Sequence, residues 1–577
     1  MNLKQQLDQR ISAALAALTG QPDALAMVAY SKSPQFGDYQ ANGVMALAKK
    51  LGKNPRELGQ LLAQQLQLDD IVSKVEVAGP GFINLFIKPE FLSERLNQLD
   101  HARLVAAAAQ PQTVVIDYSS PNLAKEMHVG HLRGTIIGDA IARTLEFLGH
   151  KLIRQNHFGD WGTQFGMLIT HMQELPFYTE GKIKAELSDL EGFYRAAKER
   201  FDTDADFARL ARENVVHLQA GHPGYMALWK KFIDVSIEHC QQLYQRLGIT
   251  LTEQDIRPES FYNSRLPQVL ELLDQQKLLT VSDGAKCVFL DEFKTKEGEP
   301  LPVIIEKTGG GFLYATTDLA AIRYRCQELH AERVLYVVDA RQSLHFQQVF
   351  TVAHLAGFAS ASCKLEHLSY GTMMGKDGKP FKTRSGGTVK LVDLCSEGVE
   401  RALTLVRGKN PETNLDDADL QHIAEVVGIA AIKYADLSKN RNSDYIFDWD
   451  TMLSFEGNTA PYLLYAYARI RSIFRRAQLD ASAPYIINVE AAEEQALALK
   501  LLQFTEAVET LASECLPNQL CLYLYELAGL FMKFYECCPV LKAEGLVQQS
   551  RLGLCQLTAL TLQQGLGLLG ITTLEQM

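Results

Sequence analysis

The chain has 577 residues, 22% of them charged, and a formal net charge of −11. Such a length exceeds one hydrophobic core and implies about three or four domains, while the acid excess excludes nucleic-acid binding through overall charge and leaves only a local basic track for it. No apolar run reaches membrane-spanning length, residues 1–10 lack the apolar core of a signal peptide, and ten cysteines occur without a CxxC pair, so a soluble cytosolic protein with reduced thiols, neither disulfides nor zinc, is expected.

Residues 1–110 mix helical stretches with a strand pair, Val75 to Val77 and Phe82 to Ile87, joined by the turn-forming Gly79-Pro80-Gly81. Alternation puts Phe82 and Asn84 on one face and Ile83 on the other, which can offer an aromatic platform and an amide to an unstacked base; a structural Phe and a turn-proximal Asn is the alternative. A composition change near Ala106 to Pro111 marks a boundary.

Residues 111–400 read as an α/β unit. An apolar strand, Val114 to Ile116, leads through a polar loop, Asp117 to Met127, into His128-Val129-Gly130-His131, and Leu132, Ile136, Ala140, Ile141, Leu145 and Leu148 then follow at helical spacing before Gly149 and a strand from Lys151 to His157. Unpaired N–H groups and the dipole of a helix start, with a glycine between two imidazoles, suit a nucleotide phosphate; two incidental cap histidines is the plainer reading of the four residues alone. Asp160-Trp161-Gly162 should emerge at the same sheet edge. The stretch 174–221 looks inserted, with Glu191 to Arg200 and Asp204 to Glu213 expected as exposed helices. A second half follows, Val334 to Val338, Leu344 to Ala356 and Leu365 to Tyr370, and places Tyr370-Gly371-Thr372-Met373 where an adenine can lie against backbone and thioether. Strand signals then fade: 401–455 is a helical connection and 456–577 a helical bundle. Lys439 and Arg441 precede a predicted helix carrying Arg469, Arg471, Arg475 and Arg476, either a basic track or a solvated face.

Several of these stretches together carry a resemblance. Asp117-Tyr118-Ser119-Ser120-Pro121-Asn122 with His128 to His131, Tyr314-Ala315-Thr316-Thr317-Asp318, Arg341-Gln342 with His345-Phe346, Phe36-Gly37-Asp38-Tyr39, and Phe534-Tyr535 with Pro539-Val540-Leu541 closely resemble the bacterial type of arginyl-tRNA synthetase over essentially the whole chain. The resemblance implies a class I Rossmann-like parallel-sheet catalytic domain, an N-terminal α+β domain that contacts the tRNA D-loop, and a C-terminal all-α bundle that reads the anticodon. It implies ATP with Mg²⁺, L-arginine and tRNA(Arg) as partners, no membrane, a monomer, and a need for bound tRNA before arginine is activated.

By the same resemblance ATP meets Asn122, Leu123, Ala124, Lys125, Glu126, Met127, His128, Val129, Gly130, His131 and Leu132, with Tyr370, Gly371 and Met373 at its base. Arginine meets Asp117, Asn122, Tyr314, Asp318 and Gln342, beside Ser119 and His131, with Glu259 a looser match. Candidates for tRNA are Phe82, Asn84, Lys439, Arg441, Arg469 and Arg475. A guanidinium is a planar fork of five donors that needs carboxylates and acceptors, and Tyr314 and Asp318, four residues apart at the start of a probable helix, share one face; a first-turn acid placed by the helix dipole is the plainer reading of Asp318. Gly309-Gly310-Gly311 reads as a flexible approach to that pocket.

One stretch departs from the class pattern. Where a Lys-Met-Ser-Lys-Ser-like loop is usual, this chain has Pro380-Phe381-Lys382-Thr383-Arg384-Ser385, so the cation that meets the leaving pyrophosphate is open among Lys125, Lys376, Lys379, Lys382 and Arg384. Lys125 is favoured, with Lys382 and Arg384 on a mobile loop. Catalysis is therefore assigned to His128, Gly130 and His131 with Lys125, Lys382 and Arg384.

Overall fold

The computed structural model describes residues 2–174, 190–382, 389–409 and 415–577. At the N-terminus, the apolar i, i+4 ladder Leu3, Leu7, Ile11 and Leu15 forms the buried stripe of a helix, Leu3–Thr19, capped where the Asn2 side-chain Oδ1 accepts from the Gln5 backbone amide at 2.8 Å. Four antiparallel strands lie in the order Val28–Tyr30, Tyr39–Ala41, Phe82–Ile87 and Val72–Ala78. Gly79 and Gly81 adopt positive φ at the turn between the last two in sequence. The Phe36-Gly37-Asp38-Tyr39 motif is a joint: Asp38 accepts from the Ile87 amide at 2.7 Å, and the Tyr39 hydroxyl donates to Glu506 of the C-terminal bundle at 3.0 Å. Tyr30 and the Lys4 amide donate to the same carboxylate, at 2.5 and 3.0 Å.

The catalytic sheet is wholly parallel, in the order Lys364–His367, Arg333–Tyr336, Thr113–Asp117 and Lys151–Gln155. From Thr113–Asp117 the chain crosses through the helix Val129–Phe147 to Lys151–Gln155 on one side, whereas Arg333–Tyr336 and its helix Ser343–Leu355 build outward on the other. The crevice between Asp117 and Tyr336, paired in register, is therefore the switch point where such sheets take ligands. The last strand ends at His367, and Tyr370 rejoins only through an isolated bridge to Asp339, because the chain turns there toward the helical connection.

Two findings differ from the sequence-based expectation. The helices Leu190–Thr203 and Ala205–Gln219, expected to be exposed, bury Phe193, Tyr194, Ala197, Phe207, Ala211 and Leu218. They pack against Thr163–Gln173, where a Cβ on Gly166 would stand 2.2 Å from the Ala211 carbonyl oxygen. Their charges hid an apolar face of helical period. An antiparallel sheet, Thr280–Ser282, Ala285–Lys294 and Pro300–Glu306, was not foreseen at all.

Beyond it, helices Leu391–Lys409 and Asp417–Leu437 pack through Gly398 and Gly428, and five helices from Ala460 to Leu568 make the bundle. The bundle is tied to the catalytic sheet by guanidinium groups at one helix end: Arg333 donates to the Ala512 carbonyl at 2.9 Å and Arg441 to the Cys515 carbonyl at 3.1 Å.

Candidate active site

His128 caps the helix Val129–Phe147, and its Nδ1 accepts from the Gly130 amide at 3.0 Å. The His128 amide in turn donates to His131 Nδ1 at 3.1 Å, and the two rings lie 4.0 Å apart. With both Nδ1 atoms accepting, each neutral ring carries its proton on Nε2. Burial, and then the Lys125 charge, lowers the His128 pKa; burial, then His128, lowers that of His131 to about 3. At neutral pH the corner offers two uncharged Nε2–H donors. Gly130 is needed for this fold, since a Cβ there would lie 2.8 Å from His128 Cε1.

The expectation that free helix-start amides would hold the phosphate is corrected. Val129 N–H donates to the Val389 carbonyl, Gly130 N–H to His128 Nδ1 and His131 N–H to the His128 carbonyl, so the imidazoles replace the backbone as donors. Leu123, Ala124, Met127, Val129 and Leu132 are buried and act as scaffold, Glu126 pairs with Lys390 at 3.1 Å, and Lys125 projects from the loop. Asn122 bridges to Gly159 and accepts from the Ala124 amide at 3.1 Å.

Behind this corner lies a buried polar network. Asp117 accepts from Arg325 Nη2 at 2.6 Å and from the Ser120 hydroxyl at 2.8 Å; Arg325 Nε donates to Gln155 at 2.7 Å and its guanidinium lies 4.8 Å from the Tyr336 ring centroid. Ser119 and Ser120 both take left-handed φ, +70° and +45°, which non-glycine residues adopt only when their surroundings hold them. The Ser119 hydroxyl bonds Tyr244 at 2.7 Å, the Ser120 amide donates to Asn156 at 3.0 Å, and Asn156 donates to Tyr244 at 3.0 Å. Asp117 and Ser119 are thus engaged by the protein's own groups. Arg325, Tyr244 and Asn156 carried no local signal: an arginine two residues past the helix Tyr314–Arg323 reads as solvated.

At the same edge, Asp318 and Tyr314 stand on the helix Tyr314–Arg323, Tyr314 71% exposed. Asp318 Oδ2 bonds His345 Nε2 at 2.6 Å, and this bond and charge outweigh burial and raise the His345 pKa. One oxygen of the expected guanidinium acceptor is therefore held by His345. Burial, then Asp160 and Asp318, pushes Glu259 up to about 8; burial pushes Asp160 to about 6. Glu259, raised by burial and by the neighbouring charges of Asp160 and Asp318, thus lies in an acidic slot that a cation would satisfy. Gln342 lies exposed in the turn Ala340–Gln342. The glycines 309 and 310 form a hydrogen-bonded turn at positive φ before Phe312.

Other expectations are corrected or relocated. Met373 is 4% exposed and its thioether belongs to the core, while the Gly371 and Thr372 amides donate to the Arg441 carbonyl and the Asp444 carboxylate. Tyr370 instead packs against Gly134, where a Cβ would stand 2.7 Å from its hydroxyl. Lys382 is exposed; Arg384 lies outside the described residues. Phe381 packs with its ring tilted against Phe447, centroids 4.7 Å apart, and Lys376 pairs with Asp448 at 3.0 Å.

Among the tRNA candidates, Asn84 is 1% exposed and accepts from Gln40 at 2.7 Å, because the neighbouring strand covers its face, and Phe82 is half-buried. Arg441 is a joint, donating to the Ser369 carbonyl at 2.6 Å as well as to Cys515. Arg471 and Arg475 both hold Glu575 near the C-terminus, whereas Arg469 lies over the Tyr535 ring, so the helix splits its arginines between two faces. Lys439 is exposed.

A parallel sheet with a neutral histidine pair at its switch point, joined to a separate helical bundle, defines a class I aminoacyl-tRNA synthetase. Residues 95–449 match the class I tRNA synthetase (R) catalytic domain, 463–577 the DALR anticodon binding domain and 5–87 the arginyl tRNA synthetase N terminal domain. The chain is 56% identical over 580 residues to the arginine–tRNA ligase of Marinomonas sp., covering 100% of both. With that of Shewanella baltica the identity is 59% over 550 residues, 95% of this chain and 94% of the relative. The fold superposes on the arginyl-tRNA synthetase crystal structure from Plasmodium falciparum with a TM-score of 0.87 at 30% identity, covering 100% and 99% of the two chains, and on that from Thermus thermophilus at 0.84 and 28%, covering all of both. The chain belongs to the arginyl-tRNA synthetase family.

The buried pair yields a stability prediction. Asp117→Asn leaves the Arg325 guanidinium without its counter-charge and should lower the unfolding free energy by about 3–5 kcal/mol. Urea denaturation reads this, and the double variant Asp117→Asn/Arg325→Met should recover most of the loss; equal instability of single and double variants would show that the pair is not the cause.

Proposed function

We propose that the chain joins L-arginine to the 3′-terminal ribose of tRNA(Arg) in two transfers at the Asp117–Tyr336 crevice. An arginine carboxylate oxygen attacks the α-phosphorus of ATP, the bond to the bridging oxygen breaks and pyrophosphate leaves. A terminal ribose hydroxyl then attacks the carbonyl carbon of the arginyl-adenylate and AMP leaves. No protein nucleophile is needed, and rate comes from positioning and from donors aimed at developing charge. ATP enters as its Mg²⁺ complex, His128 and His131 give Nε2–H to phosphate oxygens, and Lys125 adds positive charge. The chain acts as a cytoplasmic monomer in this reading.

The observation that carries the arginine assignment is the acid slot of Asp318 and Glu259 opening at the sheet edge that also bears the imidazole pair, with Tyr314 as neighbouring acceptor. Asp318→Asn should cost about 2–5 kcal/mol in arginine binding, seen as a raised KM for arginine with that for ATP little changed. Parallel rises in both constants would refute the assignment.

Glu259 gives the slot a pH dependence. With its pKa at about 8 it is largely protonated at neutral pH, and an incoming guanidinium favours the carboxylate. Arginine affinity should therefore rise as pH climbs from neutral toward about 8 and then level off, and binding at neutral pH should release a proton, measurable by calorimetry in buffers of different ionisation enthalpy. Glu259→Gln should abolish both effects; a parent protein with flat affinity and no proton release would overturn the role.

A requirement for tRNA before arginine activation is part of the same reading. It is supported by the bond of His345 to Asp318, which occupies one oxygen of the slot and has to be joined or displaced by an incoming guanidinium. ATP–pyrophosphate exchange should be negligible without tRNA and appear with it; full exchange in its absence would contradict the requirement.

A further inference from the structure

The inserted helix Leu190–Thr203 meets the catalytic loop at the side chain of Tyr194. Lys125 Nζ lies 4.5 Å from the centroid of the Tyr194 ring. Tyr194 is 9% exposed and fixed in the insertion's apolar face, whereas Lys125 stands exposed on its loop, so the ring is the anchored partner and the amine the tethered one. The Lys125 charge is felt at both His128 and His131, which puts the ammonium beside the phosphate corner.

The kind of partner matters. Among the described residues no carboxylate pairs with Lys125; the adjacent Glu126 pairs with Lys390 instead. A carboxylate would neutralise the amine and compete with phosphate for it. An aromatic face restrains a flexible four-carbon stem by attraction to its quadrupole and leaves the full positive charge available.

We propose that Tyr194 is a positioning residue that holds Lys125 aimed at the phosphates of ATP, so that the insertion completes the adenylation site. This rests on the reading above that Lys125 supplies charge to the departing pyrophosphate. Only the π face is used, so the hydroxyl is dispensable.

The test is a double-mutant cycle on the full chain, read by ATP–pyrophosphate exchange with tRNA present and by single-turnover transfer from preformed arginyl-adenylate. Tyr194→Leu should lower the exchange kcat on the order of fivefold with the KM for arginine and the transfer step unchanged. Tyr194→Phe should match the parent, and Tyr194→Leu should cause no further loss in a Lys125→Ala background, because a shared contact is lost only once. Independent, multiplying losses, a slow Tyr194→Phe, or a fully active Tyr194→Leu would overturn the proposal. If Lys125→Ala exchanges at the parent rate, the reading of Lys125 fails and takes this inference with it; if Lys125→Ala is slow and Tyr194→Leu is not, only the inference fails. Should thermal melting show Tyr194→Leu unfolded, Tyr194→Met takes its place in the same cycle.

Discussion

A buried ion pair, Arg325 with Asp117, sets the geometry on which the rest of the site depends. Asp117 ends the central strand, and there the chain turns through two left-handed serines toward the histidine corner. Arg325 sits in the π-helical segment Tyr324–Glu328 and reaches both Asp117 and Gln155, the last residues of two adjacent parallel strands. Taking two charges out of water costs several kcal/mol, so a pair of this kind adds little net stability over apolar packing. What it supplies here is direction: one Asp117 oxygen is held by Arg325, the other accepts from the Ser120 hydroxyl, and the Ser120 amide is tied on to Asn156.

The same physical effect, burial, tunes the two ends of the site in opposite senses. At the histidine corner it keeps the imidazoles neutral, so they are fixed Nε2–H donors whose tautomers are set by backbone bonds. At the acidic slot it raises the Glu259 and Asp160 carboxyls, so the slot carries less negative charge than its acid content suggests.

Charged side chains also join the domains. Glu506 takes three donors from the N-terminal domain, Arg333 and Arg441 cap a bundle helix from the catalytic side, and Lys433, lowered to about 8 by burial, donates to the carbonyls of Leu247 and Gly570 at 2.7 and 2.6 Å. Several basic residues that a linear reading assigns to RNA are thus engaged within the protein. In a chain with net charge −11, this leaves Lys439 and the second arginine face of the helix Ala460–Ala477 as the more available cations of that group.

The sequence by itself determined what is local or periodic. The apolar run before the histidine motif, the helical spacing after it and the alternation about Ile83 each name an element, because side-chain period and backbone geometry are coupled within a few residues. The motif His128-Val129-Gly130-His131 likewise contained its own hydrogen bonds, and Tyr314 and Asp318 had to share a face once they lay on a helix. Tertiary structure alone decided which charges are free. Arg325 and Arg441 have ordinary neighbours in sequence, Met373 ends a strand-like stretch and the insertion helices look polar, yet each acquired its role from residues tens to hundreds of positions away. Desolvation and pairing depend on what the fold brings alongside, and no local pattern of residues encodes that.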